Sequence, residues 1–247
     1  MDRADVEKIV VRAGIPEIVA ESTSHLTGSL LDIVRRQLVA LDEIVGRVIY
    51  RLTGRDPTER PVAPALLRGA EGLPGVSTKG RAQVTGHYAG AITRLAAFAV
   101  DGFAVFGLFT LAAAAVAFVA TLFGLEFDAS TVPGVVSAVI YTGWAFIYWW
   151  VGLALLGKTL GKGLVGLRVV SYDGRPLTAR RALVRTLSLP ISFLLFGLGL
   201  LGIVLGRHRR ALHDVIAGTC EVYDWGDRPA DIPAPLTRWI ERRVDAR

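Results

Sequence analysis

Three charged residues, Arg94, Asp101 and Asp214, border or enter long apolar stretches of the chain. Arg94 and Asp101 are seven residues apart, so on a helix they share one face and lie about 10 Å apart along the axis. Asp101 is followed by residues 102–123, which contain no charged side chain. A carboxylate at that depth in a bilayer must face the protein interior, bind a cation or take up a proton. If the fold returns Asp214 to the first helix, one arginine and two aspartates form a buried cluster.

Two interpretations of this cluster are open at the level of sequence. Intramembrane carboxylates can hold a proton or a cation on a transport path. Alternatively, the charges form a structural ion-pair network that fixes the register of the helices. One arginine and two aspartates sum to a charge of −1, which suits a cation, but this count ignores the neighbouring arginines.

The elements that carry these residues are hydrophobic enough to cross a membrane. Hydrophobic residues make up 52% of the 247 positions, and the mean hydropathy is +0.45. Uncharged runs cover residues 102–123, 129–157 and 186–206. A bilayer core about 30 Å thick takes about 20 helical residues, so each run is long enough to span it. We predict an all-α integral membrane protein, a small bundle of three hydrophobic segments.

The loops between the runs differ in charge. Glu126 and Asp128 follow the first run without a basic neighbour, whereas residues 158–185 carry seven basic side chains opposed by Asp173 alone. The positive-inside rule places this basic loop, and hence the N-terminus, in the cytoplasm, where the basic side chains meet anionic lipid headgroups. Arginine far outnumbers lysine, as in GC-rich bacterial genomes. We predict a multi-pass protein of the bacterial plasma (inner) membrane.

The third run, residues 186–206, allows two topologies. If it spans simply, the basic cluster at residues 207–210 lies outside the cell, which the positive-inside rule disfavours. Pro190 and Gly197 instead permit a broken or re-entrant segment that keeps both flanks in the cytoplasm. Irregular backbone at that depth needs protein or water partners.

The basic loop itself shows signs of local structure. Residues 164–171 are rich in valine and leucine and are followed by Asp173-Gly174, which predicts a short β-hairpin. Thr178 is a suitable N-cap for a basic helix that runs to Arg185. Residues 215–223 indicate a turn and a short strand.

The chain divides into four parts. Residues 1–53 form a cytoplasmic helical segment and residues 54–85 a linker rich in proline and glycine. The membrane domain covers residues 86–224, and residues 225–247 form a cytoplasmic tail with a short basic helix. Because the linker composition cannot bury a core, we expect the N-terminal segment to be tethered to the membrane domain rather than packed on it.

The N-terminal segment is an amphipathic helix in our prediction. Its apolar residues alternate spacings of three and four, which is a heptad pattern: Leu31, Val34, Leu38, Leu41, Val45, Val48 and Leu52. Two alternatives are open. Residues 17–53 bind a protein partner or self-associate, or the helix packs on its own domain or on the membrane surface.

The other chemistry-bearing residues exclude several functions. The single cysteine, Cys220, cannot form an internal disulfide, and the four histidines are scattered, so we predict no metal site and no cofactor. His213-Asp214 has no nucleophile nearby, and we expect no enzyme activity. The net charge of +6 belongs to membrane-adjacent loops without interleaved aromatic residues, so we predict no nucleic-acid partner.

Three motifs in order resemble the RDD family of bacterial membrane proteins, which is named for one arginine and two aspartates. Residues 94–101 are similar to the signature of its first helix, residues 157–170 to its central motif, and residues 212–219 to its closing motif. The resemblance covers about 86–224 and implies that Arg94, Asp101 and Asp214 are the name-giving residues. The supporting motif positions are Gly157, Lys158, Thr159, Gly161, Lys162, Gly166, Arg168, His213, Gly218 and Thr219.

The resemblance implies little about activity beyond transport, which is suggested for some family members. Our leading hypothesis is transport of a small solute, cation or proton, with Asp101 and Asp214 as the binding sites and Arg94 as their counter-charge. The alternative is a membrane scaffold or assembly factor, whose N-terminal helix recruits a partner and whose buried charges are structural. Because few helices cannot easily enclose a pore, we expect a transport pathway to lie in a homo-oligomer.

Overall fold

The computed structural model describes residues 15–55, 62–67, 76–77, 81–125, 132–194, 197–226 and 228–233. The helices are α1 (Ile15–Leu52), α2 (Ala91–Leu122), α3 (Gly134–Leu156), α4 (Leu160–Val165), α5 (Ala179–Leu194), α6 (Leu201–Leu205) and α7 (Leu212–Ala217). The strands are β1 (Val76–Ser77), β2 (Arg81–Ala82), β3 (Leu167–Ser171) and β4 (Thr219–Tyr223). Two predicted features lie outside the described residues: the acidic loop with Glu126 and Asp128, and the short helix of the tail.

Two helices, α2 and α3, are long and apolar enough to cross a membrane. They contain 32 and 23 residues with mean hydropathies of 2.4 and 1.6 in their most apolar windows. At about 1.5 Å per residue, both exceed a bilayer core about 30 Å thick. Large apolar side chains such as Phe103, Leu111 and Val135 are exposed on their outer surfaces. This exposure fits a lipid environment, in which apolar surface has no need of burial.

The third apolar run is broken. Helix α5 begins before it, where Thr178 Oγ1 accepts the N–H of Arg181 at 3.4 Å, and passes through Pro190. Gly197 adopts a left-handed conformation (φ 76°), a 3₁₀ turn covers Leu198–Leu200, and α6 follows. The run therefore does not form a single continuous helix across the membrane. Of the expected bundle of three segments, two form long helices, and α5 packs against α3 and α7.

The predicted local hairpin after residue 164 is wrong in its strand pairing. A tight turn does form, with Ser171 N–H donated to the carbonyl of Arg175 at 2.9 Å, but its ladder consists of a single bridge between Val170 and Pro176. Proline has no N–H to continue a ladder. Strand β3 pairs instead with β4, antiparallel, from Leu167 opposite Tyr223 to Ser171 opposite Thr219.

The N-terminal helix packs directly on the membrane domain, contrary to the expected tether. Its buried residues include Val39, Asp42 and Tyr50, whereas Val34 and Leu41 of the predicted heptad face are about half exposed. The docked face therefore overlaps the apolar seam only in part, because Leu38 packs against the core whereas Val34 and Leu41 do not. Val39 belongs to the main core cluster, which joins α1, the first turns of α2, α4 and the β3–β4 sheet: Val39, Val84, Ala89, Ala97, Val165, Leu167, Tyr223, Trp225, Ala230 and Ile232.

Candidate functional site: two groups of buried charges

A buried stripe on α2 carries both of its charged residues. Arg94, Ala97, Asp101 and Val105 are buried, and their spacings of three and four place them on one helical face. The stripe faces α4, the β3–β4 sheet and α7 rather than lipid. The two charges on it nevertheless have different partners.

Arg94 pairs with Asp214, as expected. Asp214 lies in the first turn of α7, where its Oδ2 accepts the Arg94 Nη1 donor at 2.7 Å and the Ala211 N–H at 3.1 Å. Its Oδ1 accepts Arg185 Nη1 at 2.5 Å. The aspartate has no solvent-exposed surface, so these hydrogen bonds replace its hydration. The contact fixes α7 to the start of the first long helix.

A second acid, Glu221 on β4, shares the same cations. Its Oε1 accepts Arg185 Nη2 at 2.5 Å and Lys162 Nζ at 2.7 Å. Its Oε2 lies 3.7 Å from Arg94 Nε, and neither atom has a hydrogen-bond partner in the described structure. The group thus contains three cations and two carboxylates, a formal charge of +1. We name Arg94, Lys162, Arg185, Asp214 and Glu221 the basal charge group.

The electrostatics keep both acids ionised. Burial opposes ionisation, but Arg185 and Arg94 outweigh it and hold the pKa of Asp214 well below its usual range. In the same way Lys162, Arg94 and Arg185 lower the pKa of Glu221 to about 2. Two permanently charged arginines and one lysine therefore face two carboxylates throughout the physiological pH range.

His213 borders the basal charge group as a neutral imidazole. Burial lowers its pKa to about 4. Its Nε2 lies 3.3 Å from Arg185 Nη2, which can only donate, so the ring proton belongs on Nδ1, 2.9 Å from Ser192 Oγ. The His213 N–H also donates to this Oγ, at 3.2 Å. Histidine and serine together tie α7 to the part of α5 that lies beyond Pro190.

Asp101 lies in a separate arrangement, so the expected single cluster of one arginine and two aspartates is split. Its carboxylate accepts Tyr148 Oη at 2.7 Å, Thr159 Oγ1 at 2.6 Å and Gly161 N–H at 2.7 Å. Among the described residues, no hydrogen bond or ion pair joins it to Arg94. We name Asp101 with these three donors the Asp101 brace, because it connects both long helices and α4.

The close packing at the brace requires a glycine. A Cβ atom on Gly161 would overlap the carbonyl oxygen of Ala97 and the Asp101 carboxyl group. Any larger residue would therefore push α4 away from α2. Thr159 serves twice here, since its hydroxyl also caps α4 by accepting the Lys162 N–H at 3.4 Å.

The other motif glycines end helices. Gly157, Gly166 and Gly218 have φ values of 67°, 77° and 64°, which is the left-handed conformation at the ends of α3, α4 and α7. Thr219 Oγ1 accepts Arg185 Nη1 at 3.2 Å. Arg168 pairs with Asp224 at 2.7 Å near the surface. These motif residues thus build the loops around the two charge groups.

A third carboxylate, Asp42 of α1, was not expected from the sequence. It accepts the N–H groups of Ile92 at 2.7 Å and Thr93 at 3.2 Å, together with the Thr93 hydroxyl and Tyr223 Oη at 2.8 Å. Asp42 therefore caps the N-terminus of α2 from another helix, where a negative charge is stabilised by the helix dipole. A Cβ atom on Gly90, the N-cap residue of α2, would overlap the Asp42 side chain.

Sequence reasoning also missed Arg185 and Glu221 as site residues. Arg185 was counted with the headgroup-facing basic residues, yet Ala182, Ser188 and Ser192 share its buried face at spacings of three and four. Glu221 is a charge inside an otherwise apolar strand, next to the closing motif. In the described part of the chain, no three His, Cys, Asp or Glu side chains are grouped as ligands for a metal.

Comparison with known proteins gives one match. The model of the RDD family matches residues 88–218, which include Arg94, Asp101 and Asp214. No curated protein and no solved structure matches the chain. The match covers more than half of the sequence, with two helices able to cross a membrane inside it. The chain belongs to the RDD family and is a membrane protein.

Proposed function

We propose that this protein is a multi-pass scaffold of the bacterial plasma membrane that holds an amphipathic helix at its cytoplasmic end for a protein partner. The brace supports the topology: Gly161, just after α3, donates to Asp101 early in α2, so the start of α2 and the end of α3 lie on one side. The basic residues between 158 and 185 favour a cytoplasmic location for that side.

The partners of the buried carboxylates favour a structural role over an ion path. Asp214 and Glu221 are bridged by three cations, and the resulting charge of +1 disfavours the entry of another cation. Asp101 receives three hydrogen bonds from the chain itself. A transport site has to release such contacts to admit its ion, whereas a structural site uses them to hold helices together.

The Asp42 cap is the observation that carries the proposal. The first N–H groups of a helix point along its axis, out of its end. Because Asp42 accepts two of them from α2, helix α1 lies beyond the end of α2 along that axis. The side of α1 opposite Asp42 then faces away from the bilayer.

One side of α1, about 100° around the helix from Asp42, carries exposed apolar side chains. Val34, Leu41, Val48 and Leu52 are 54%, 47%, 49% and 81% exposed. Successive spacings of seven, seven and four place them in one stripe, the pattern that packs against another helix. We name these four residues the outward stripe. An exposed apolar stripe on a helix that lies beyond the end of α2 suits a protein partner with a complementary amphipathic helix.

Photo-crosslinking in native membranes tests this proposal. A photoreactive residue at Leu41 is expected to give a crosslink to one protein of defined mass. The same residue at Arg47, about 120° around the helix, is the matched control and gives none. The additional change Val48→Glu, on the outward stripe, abolishes the crosslink, whereas Arg51→Glu leaves it intact. A crosslink to a second copy of the chain, to lipid alone, or equally from both positions contradicts recruitment.

Ion flux separates the scaffold from the transport alternative. Purified protein in liposomes is expected to give no Na⁺, K⁺ or H⁺ flux above empty liposomes. Wild-type flux that disappears in a folded, inserted Asp101→Asn variant would make the brace a transport site and overturn the proposal. Flux that persists in Asp101→Asn and Asp214→Asn would also contradict it, because a scaffold conducts nothing.

A further inference from the structure

The surface of the two long helices contains an apolar groove, separate from the outward stripe. It has a volume of about 600 Å³ and is lined by α2, α3 and α4. The walls come mainly from Leu108, Trp144, Ile147, Val151, Leu160 and Leu164. Its position on α3 runs from the middle of that helix to its end. The groove thus extends along the half of the bilayer on the side of the basic loop.

The walls determine what can fill the groove. Hydrocarbon is the matching occupant, because apolar walls offer water no hydrogen bonds. The volume lies within the range of sites that enclose most of a small ligand. On helices that cross a bilayer, the hydrocarbon at hand is a lipid acyl chain.

One end of the groove carries a positive charge. The stem of Lys158 lines the wall beside Gly163, and no acidic side chain lines the groove. Lys162 and Arg168 nearby are paired with Glu221 and Asp224. Lys158 has no ion pair within the described part of the chain. A lysine at the end of a span places its ammonium at the headgroup level while its stem covers apolar surface.

We propose that this groove binds one acyl chain of an anionic phospholipid, with the lipid phosphate held by the Lys158 ammonium. The apolar walls favour an acyl chain, and the unpaired lysine favours a negatively charged headgroup. Tyr148 and Thr159 line the groove and also donate to Asp101, so the bound chain packs directly against the Asp101 brace. The site does not depend on the partner proposed for α1.

Lipid retention by the full chain in detergent tests this site. Phosphatidylglycerol and phosphatidylcholine are titrated separately and read out by native mass spectrometry. Wild type is expected to retain one phosphatidylglycerol, with roughly a fivefold preference over phosphatidylcholine, the factor that one lysine near a headgroup supplies. Val151→Trp fills the groove and abolishes retention of both lipids. Val139→Trp, exposed on the same helix outside the groove, is the matched control and retains them.

The charge is tested separately. Lys158→Gln is expected to keep one bound lipid and lose the preference for phosphatidylglycerol. The control Arg180→Gln is expected to keep the bound lipid and the preference. Undiminished retention in Val151→Trp refutes the groove as the site of the acyl chain, and an undiminished preference in Lys158→Gln refutes Lys158 as the side chain that selects the anionic headgroup. Absence of retained lipid in wild type refutes the whole inference and leaves the crosslinking result for α1 unaffected.

Discussion

The replacement Asp42→Asn provides the sharpest test of how α1 is held on the membrane domain. Asp42 accepts hydrogen bonds from the N–H groups of Ile92 and Thr93, the Thr93 hydroxyl and Tyr223 Oη. Asparagine keeps one acceptor oxygen but presents an NH₂ group to donors. Its oxygen can occupy the Oδ1 or the Oδ2 position but not both, so either the Ile92 N–H or the donors of Thr93 and Tyr223 lose their acceptor.

The magnitude follows from those lost contacts. Hydrogen bonds to a charged group contribute about 1.5–3 kcal/mol, and each buried donor left without a partner costs about 1–3 kcal/mol. Loss of an N-cap alone costs about 1 kcal/mol. We expect Asp42→Asn to lower the free energy of unfolding by about 2–3 kcal/mol and Asp42→Ala by about 3–4 kcal/mol.

The chain supplies its own reporter for this measurement. Cys220 is the one cysteine in the sequence and is fully buried, and burial raises the pKa of its thiol to about 12. A thiol-reactive dye therefore labels the protein as it unfolds, so the temperature of half-maximal labelling reports stability. Asp32→Asn is the matched control on α1. Asp32 pairs with Arg35 and Arg228, and partly exposed pairs of this kind contribute about 0–1 kcal/mol.

If the free energy of unfolding of Asp42→Asn lies within about 0.5 kcal/mol of the wild-type value, the cap does not stabilise the fold as argued. That result would mean that α1 does not depend on the cap for its position. The argument that α1 lies beyond the end of α2, on which the proposed role of the outward stripe rests, would then lose its geometric basis.

Three further predictions concern the buried charges and the close packing around them. Glu221→Gln leaves three cations opposite Asp214 alone. We expect the free energy of unfolding, followed by dye labelling, to fall by about 3–5 kcal/mol. Burial keeps the pKa of His213 near 4, below about 6.5 in the unfolded chain, so the unfolded chain binds more protons and stability falls as pH drops from about 6.5 to 4. Tryptophan fluorescence should show this fall in wild type and a flatter profile for His213→Gln. Gly161→Ala should prevent stable packing of α4, whereas Gly143→Ala, with open space around it, should change stability by less than about 1 kcal/mol.

Several features of the fold could be predicted from the sequence because they depend on local composition. Long uncharged runs specify α2 and α3, and their length alone is close to that of a bilayer. The N-cap at Thr178 follows from residue type and position. Pro190 and Gly197 predict an interruption of the third apolar run. The interruption is found at Gly197, which takes the left-handed conformation that glycine adopts most readily.

The split between Arg94 and Asp101 could not be predicted in the same way. Sharing a helical face shows that two residues point in similar directions, but it does not show which element lies opposite each. Over the seven positions from Arg94 to Asp101, about 10 Å of axis, α2 passes from contact with α7 to contact with α4. Long-range pairing of β3 with β4 escaped prediction for the same reason, because the nearer turn signal at Asp173-Gly174 competes with a partner strand far along the chain.

The N-terminal helix shows how a polar residue can decide which face of an amphipathic helix is docked. The most continuous apolar seam on α1 includes Leu41 and Val48, and hydrophobicity alone would bury it. Instead the helix turns Asp42 inward, because the free N–H groups of α2 need an acceptor and a buried carboxylate needs donors. Satisfying both fixes the rotation of α1 and leaves Val34, Leu41 and Val48 of the apolar seam exposed, about 80–120° around the helix from Asp42. The same contact that completes the membrane domain therefore creates the exposed surface on which the proposed scaffold function rests.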